Sequence, residues 1–94
     1  MKTAVQSDVE AIKDLLKLRN KVCRLECVNH SSNKYYEIYI EAVNGKQIVV
    51  ALYGAMNAKP QRMEYTEEQM GRMTPKEFAN GLKYKKTKKG YKEV

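Results

Sequence analysis

The dipeptide Asn44-Gly45 restricts the fold of this chain more than any other feature. It lies between two runs, 34–43 and 46–53, that are rich in tyrosine, isoleucine and valine. β-branched and aromatic residues favour extended backbone, and a two-residue hairpin loop needs positive φ at both central positions, which Asn and Gly accept. The turn also fixes a register. With Val43 opposite Lys46, Ile40 faces Val49, Ile38 faces Ala51 and Tyr36 faces Tyr53. Tyr36, Ile38, Ile40, Ala42, Val49, Ala51 and Tyr53 then make one wholly apolar or aromatic face, the expected core. On the other face Glu37 meets Leu52, Tyr39 meets Val50 and Glu41 meets Ile48. That half-polar surface suits a partly solvated antiparallel sheet. Tyr35 and Tyr39 lie there, freer to meet a partner, while Ile48, Val50 and Leu52 would gain from a cover.

Upstream, Ser7-Asp8-Val9-Glu10 reads as a capping box, and Val9, Ile12, Leu15 and Leu16 follow at helical spacing. The pattern predicts a helix over 8–20, ended near Asn20-Lys21. From Val22 the period becomes two, which sends Cys23, Leu25 and Cys27 to one face and Arg24 and Glu26 to the other, before a turn-rich break at 29–33. The two cysteines are four positions apart, which is not the spacing of a zinc knuckle or redox pair, and no second ligand pair accompanies them. They read as small buried hydrophobes, so no disulfide, metal or cofactor is expected.

Downstream, Gly54 to Pro60 is a loop, 61–65 a short strand carrying Met63 and Tyr65 to one side, and 66–73 has no clean period. Met56, Met63, Met70 and Met73 are expected to fill gaps in the core, and the alternative for such flexible side chains is an adaptable protein interface. Thr74-Pro75-Lys76-Glu77 is the best helix start in the chain, with a threonine cap, proline at the first position and a glutamate to complete the box. It predicts a helix over 75–86 with Phe78 and Leu82 on one face, stopped by Gly90, after which 91–94 add a last strand. The fold class is therefore α+β: an antiparallel sheet of four to five strands, a C-terminal helix packed on it, and an additional N-terminal helix. With 94 residues there is room for one core. Residues 1–21 form a helical extension and 22–94 a single globular unit. The N-terminus turns polar too soon for a signal peptide, and no apolar run approaches the roughly 18 residues of a membrane span. An intracellular location, cytoplasmic or at the nucleoid or nucleus, with no membrane contact, is the expectation.

The formal charge of +7 is unevenly placed: residues 1–22 carry a net +2, residues 23–73 none, and residues 74–94 the remaining +5. Lys83, Lys85, Lys86, Lys88, Lys89 and Lys92 fall close together, interleaved with Tyr84 and Tyr91. Ammonium groups neutralise phosphates and release counterions, and tyrosine rings offer stacking surfaces to exposed bases. The same composition also serves solubility and favourable contact with a helix C-terminus. Contacts of this kind are largely indifferent to base sequence. Catalysis has no such foundation. The single histidine, His30, lies in a polar turn with no serine or cysteine placed to use it. Glu67-Glu68 reads as a solvated patch, and Asn57-Ala58-Lys59-Pro60 lacks the glycines of a phosphate-cradling loop.

Three stretches carry a family resemblance. Asn33-Lys34-Tyr35-Tyr36-Glu37-Ile38, then Tyr53-Gly54-Ala55-Met56-Asn57-Ala58-Lys59-Pro60-Gln61, then Phe78 with the lysines and Lys89-Gly90-Tyr91 follow in the order and spacing of a WGR domain. Residues 33–94 thus resemble this module, which is named for a Trp-Gly-Arg signature. Here Tyr53 stands for the tryptophan and Ala55 for the arginine, while Asn57 and Pro60 replace glycines. Gly54 and Gln61 match. The resemblance implies a central antiparallel sheet with a helix against it and contact with a DNA end. Tyr53 would supply the stacking ring, and Lys59 or Arg62 the charge that position 55 lacks. The combined expectation is a small non-enzymatic nucleic-acid-binding domain, DNA ahead of RNA. Its site residues are Tyr53, Lys59, Arg62, Lys83, Tyr84, Lys85, Lys86, Lys88, Lys89 and Tyr91. The alternative is a protein–protein interaction or accessory module that has lost WGR-type DNA-end contacts. Its partner, or a second copy of the chain, would engage the N-terminal helix or the second sheet face.

Overall fold

The computed structural model describes residues 19–94. Five strands and two helices follow in order: β1 (Arg19–Val28), β2 (Asn33–Val43), β3 (Lys46–Ala55), β4 (Gln61–Tyr65), α1 (Glu67–Met70), α2 (Pro75–Lys88) and β5 (Lys92–Glu93). The strands form one antiparallel sheet in the order β4-β3-β2-β1-β5. The helix expected over 8–20 lies outside the described residues, except for Arg19 and Asn20, which are extended and begin β1. The sheet thus starts three residues before the boundary expected at Val22.

The β2–β3 hairpin has the register that the Asn-Gly turn demands. Val43 pairs with Lys46, Ile40 with Val49, Ile38 with Ala51 and Tyr36 with Tyr53. Asn44 and Gly45 have φ of 52° and 77°, the positive pair of a primed turn. Leu25, Ile38, Val49 and Ala51 are fully buried on the face covered by α2, as is Ala79 of that helix, with Cys23, Tyr36 and Met70 nearly so. Of the four methionines assigned to the core, only Met70 is buried there, whereas Met63 and Met73 are close to half exposed.

β1 departs from strict alternation. Lys21 pairs with Tyr39 but Cys23 pairs with Ile38, so Val22 is an extra residue in the ladder. Without that bulge Arg19 and Lys21 would share the face of Leu25 and point into the core. The inserted residue reverses their parity and places them on the opposite face. There they enter two groups of ion pairs, Lys21, Arg24, Glu26 and Glu37 in one and Arg19, Glu41, Arg62 and Glu64 in the other, with Tyr39 between them. Arg24 meets Glu26 and Glu37 at 2.8 Å, Lys21 meets Glu37 at 3.4 Å, and Arg19 meets Glu41 at 3.2 Å. Arg62 bridges Glu41 and Glu64 at 2.8 and 2.9 Å. The Tyr39 hydroxyl donates to Glu37 at 2.8 Å, and the Arg19 and Arg24 guanidiniums stand over the Tyr39 and Tyr35 rings. Val50, which needed a cover, is fully buried beneath this side-chain layer. Tyr35 and Tyr39 are accordingly engaged rather than open to a partner.

Residues 66–73, which lack a clean period, contain the one-turn α1. Its entry is Thr66-Glu67-Glu68-Gln69, with the Gln69 side chain accepting from the Thr66 N–H at 2.8 Å. At α2 the expected box is complete: Glu77 N–H donates to Thr74 Oγ1 at 3.1 Å, and Thr74 N–H donates to Glu77 Oε1 at 2.9 Å. The helix runs two residues past the expected end, to Lys88.

Candidate nucleic-acid interface

Gly90 determines the geometry at the end of α2. Its φ of 103° is one that residues with a side chain rarely adopt. With it, the Tyr91 N–H reaches back to the Lys86 carbonyl at 3.1 Å and the Gly90 N–H to the Thr87 carbonyl at 3.2 Å. These are the two hydrogen bonds of a Schellman motif. The reversal lays Tyr91 against the last turn of the helix and sends Lys92 and Glu93 to pair with Glu26 and Leu25 of β1. The Lys83–Glu93 ion pair, 2.5 Å, ties the helix to that edge strand.

The consequence is a cluster of rings and ammoniums at one end of the molecule. Tyr36 stacks on Tyr53 across the hairpin with centroids 5.6 Å apart, and Tyr91 meets Tyr36 edge-on at 6.2 Å. Burial pushes the Tyr36 hydroxyl far above its ordinary range. The Lys86 ammonium lies 4.6 Å from the Tyr36 centroid and 5.6 Å from that of Tyr91, while Lys34 from β2 approaches Tyr91 at 5.9 Å. Partial burial lowers the Lys86 pKa, and the positive charges of Lys89 and Lys34 lower it further. A cation in this position gains from any anion that enters between the lysines.

The structure therefore sorts the expected site residues. Lys86, Lys89, Tyr53 and Tyr91 gather at the closing end of α2, with Lys34 beside them. Lys85 and Lys88 project from the exposed side of the same helix turn, where Lys88 stands 4.7 Å from the centroid of Tyr84. Lys83 is engaged by Glu93. Arg62 lies on the opposite face of the sheet, held by Glu41 and Glu64. Lys59 is exposed in the β3–β4 turn. Gly54, the matched glycine of the signature, has a φ of 150°, and a side chain there would meet the Lys59 carbonyl at 3.7 Å. Lys34 was missing from the expected set because it stands far from the basic segment in sequence. Only the pairing of β2 beside the end of α2 brings it in.

The two faces differ in their charge balance. On the ion-paired face, Arg19, Lys21, Arg24 and Arg62 are all matched by glutamates. Among the described residues, Lys34, Lys85, Lys86, Lys88, Lys89 and Lys92 have no carboxylate within ion-pair distance. No group of three or more histidine, cysteine or acidic side chains among the described residues has the arrangement of a metal site. No described helix is long and apolar enough to cross a membrane. Comparison of the chain with protein-family models, curated proteins and solved structures finds no match in any of the three.

Proposed function

We propose that the chain is a non-enzymatic, WGR-like nucleic-acid-binding domain, DNA ahead of RNA, that engages phosphates with the lysines at the closing end of α2. The observation that carries this reading is the segregation of charge. Glutamates neutralise the cations of the open sheet face, while among the described residues Lys85, Lys86, Lys88 and Lys89 have no carboxylate partner beside a tyrosine cluster. Unpartnered ammoniums repel one another, and phosphate relieves that repulsion while releasing its own counterions. Lys85, Lys86, Lys88 and Lys89 provide the phosphate contacts, with Lys34 beside them and Lys59 near the signature turn. Tyr53 and Tyr91 shape the floor.

The test compares two variants of equal net charge in binding to a fluorescent duplex at moderate salt. Lys85→Gln with Lys89→Gln should weaken binding at least several-fold. Lys46→Gln with Lys76→Gln, both away from the α2 end, should do so far less. Equal losses would reduce the effect to net charge and remove the site. A protein-docking module is the second reading, favoured by the exposure of Met63 and Met73 at 45% and 46% and by the groove between Met73, Phe78 and Leu82. A defined dimer or protein complex that forms without any retention of nucleic acid would favour it instead.

A further inference from the structure

Most of the aromatic rings near the lysines are already engaged by other rings. Tyr36 is 4% exposed. Tyr53 stacks on it, and Tyr91 is half-buried between Tyr36 and the Lys34 and Lys86 ammoniums. Tyr84 is different. It is 60% exposed on the outer side of α2, one turn before the helix ends. Lys88 stands over its ring at 4.7 Å, and an open groove of about 300 Å³ runs between the ring and Asn80, Lys83 and Thr87. The Thr87 hydroxyl donates to the Tyr84 carbonyl at 2.8 Å, and among the described residues no hydrogen bond engages the Asn80 amide, which lines the same groove.

On the nucleic-acid reading above, we infer that Tyr84 is a stacking platform for an unpaired base, so that the domain prefers single-stranded nucleic acid to duplex. A ring this open loses apolar exposure when a flat partner such as a base covers it. Bases inside a duplex are stacked on one another and present only their edges, so the body of a duplex meets the lysines but not the Tyr84 face. A single strand satisfies both. Its phosphates lie against Lys85, Lys88 and Lys89 while one base leaves the backbone to cover Tyr84, and the Asn80 amide is placed to meet that base's edge. An amide offers both donor and acceptor, so it tolerates several bases and specifies none strongly.

Binding of the full chain is measured by fluorescence anisotropy against three probes of about 16 nucleotides: an oligothymidine, an oligouridine and a mixed-sequence DNA duplex. The two single strands separate DNA from RNA as the source of the unpaired base. Tyr84→Ala places the best helix former at an exposed helical position, so its circular dichroism should match that of the unaltered protein. It should weaken binding to the tighter single strand by about five- to a hundredfold and change duplex binding by less than twofold. Tyr84→Phe, which keeps the ring, should bind both as the unaltered protein does. Equal losses on single strand and duplex, or no loss on either while Lys85→Gln with Lys89→Gln still weakens both, would overturn the stacking role and leave the phosphate site standing. Absence of binding to all three probes in dilute salt would overturn the nucleic-acid reading itself.

Discussion

Replacing Glu37 examines whether the open sheet face is an ordered ionic layer or a set of solvated side chains. Glu37 accepts from Arg24 and from the Tyr39 hydroxyl, both at 2.8 Å, and is paired with Lys21 at 3.4 Å. Its side chain is 12% exposed and that of Arg24 is 31% exposed. Fully exposed pairs contribute about 0–1 kcal/mol, and removing one member of a fully buried pair costs about 3–5 kcal/mol. The geometry here lies between, so Glu37→Ala should cost about 2 kcal/mol and Glu37→Gln, which keeps an acceptor for Tyr39, about 1 kcal/mol. With a urea m value of about 1–2 kcal/mol/M for a chain this small, the midpoint for Glu37→Ala falls by about 1–2 M at unchanged m. A double-mutant cycle with Arg24→Ala should return a coupling of about 1–2 kcal/mol. Burial acts to raise the Glu37 carboxyl, but hydrogen bonds from Arg24, Tyr39 and Lys21 outweigh it and hold the group below its ordinary value of 4.5. A depressed folded-state pKa means that the stabilisation is complete above the unfolded value and is lost as pH falls through the folded one. The gap between the unaltered and Glu37→Gln proteins should therefore be flat near neutrality and close as the pH drops below 4.5. A midpoint shift under about 0.3 M, with a coupling near zero, would refute the ordered layer.

Two further substitutions probe the elements that build the site. Leu25→Ala, at a position with no exposure, should cost about 3 kcal/mol and lower Tm by more than about 10 °C in calorimetry; a loss under about 1 kcal/mol would mean that the β1–α2 contact is loose. Gly90→Ala forces a side chain to a φ of 103° and should cost about 1–2 kcal/mol, with faster amide exchange at Tyr91 and in β5 than in the hairpin. Unchanged protection at Tyr91 would show that the backward turn does not depend on glycine.

The hairpin was legible because its information is local: Asn44-Gly45 sets the turn, and strict alternation carries the register ten residues in each direction. The Thr74 box was legible for the same reason. Thr66 to Gln69 has that same signature, and α1 could have been read from it, but a single turn leaves no apolar periodicity to draw attention. The bulge at Val22 was not legible. Arg19 at the end of a helical pattern and Arg19 on a sheet face look alike until pairing with Glu41 decides between them. The ionic layer followed from that miss, since half of its cations belong to the stretch whose parity the bulge reverses. Of the site, the charge-rich end of α2 could be read directly. Its sorting could not: Glu93 engages Lys83, Glu41 engages Arg62, and Lys34 joins from a distant strand. Gly90 was readable as a stop, but the fold of Tyr91 onto Tyr36 depends on where the sheet lies.

The salt dependence of duplex binding tests the phosphate site most directly. For five phosphate contacts, log affinity should fall with log salt at a slope of about −4 to −5. Substitution of Lys85, Lys86, Lys88 and Lys89 together by alanine should flatten that slope to about −1. A slope unchanged by the four substitutions, or an unaltered protein that ignores duplex DNA in dilute buffer, would contradict the assignment of these lysines.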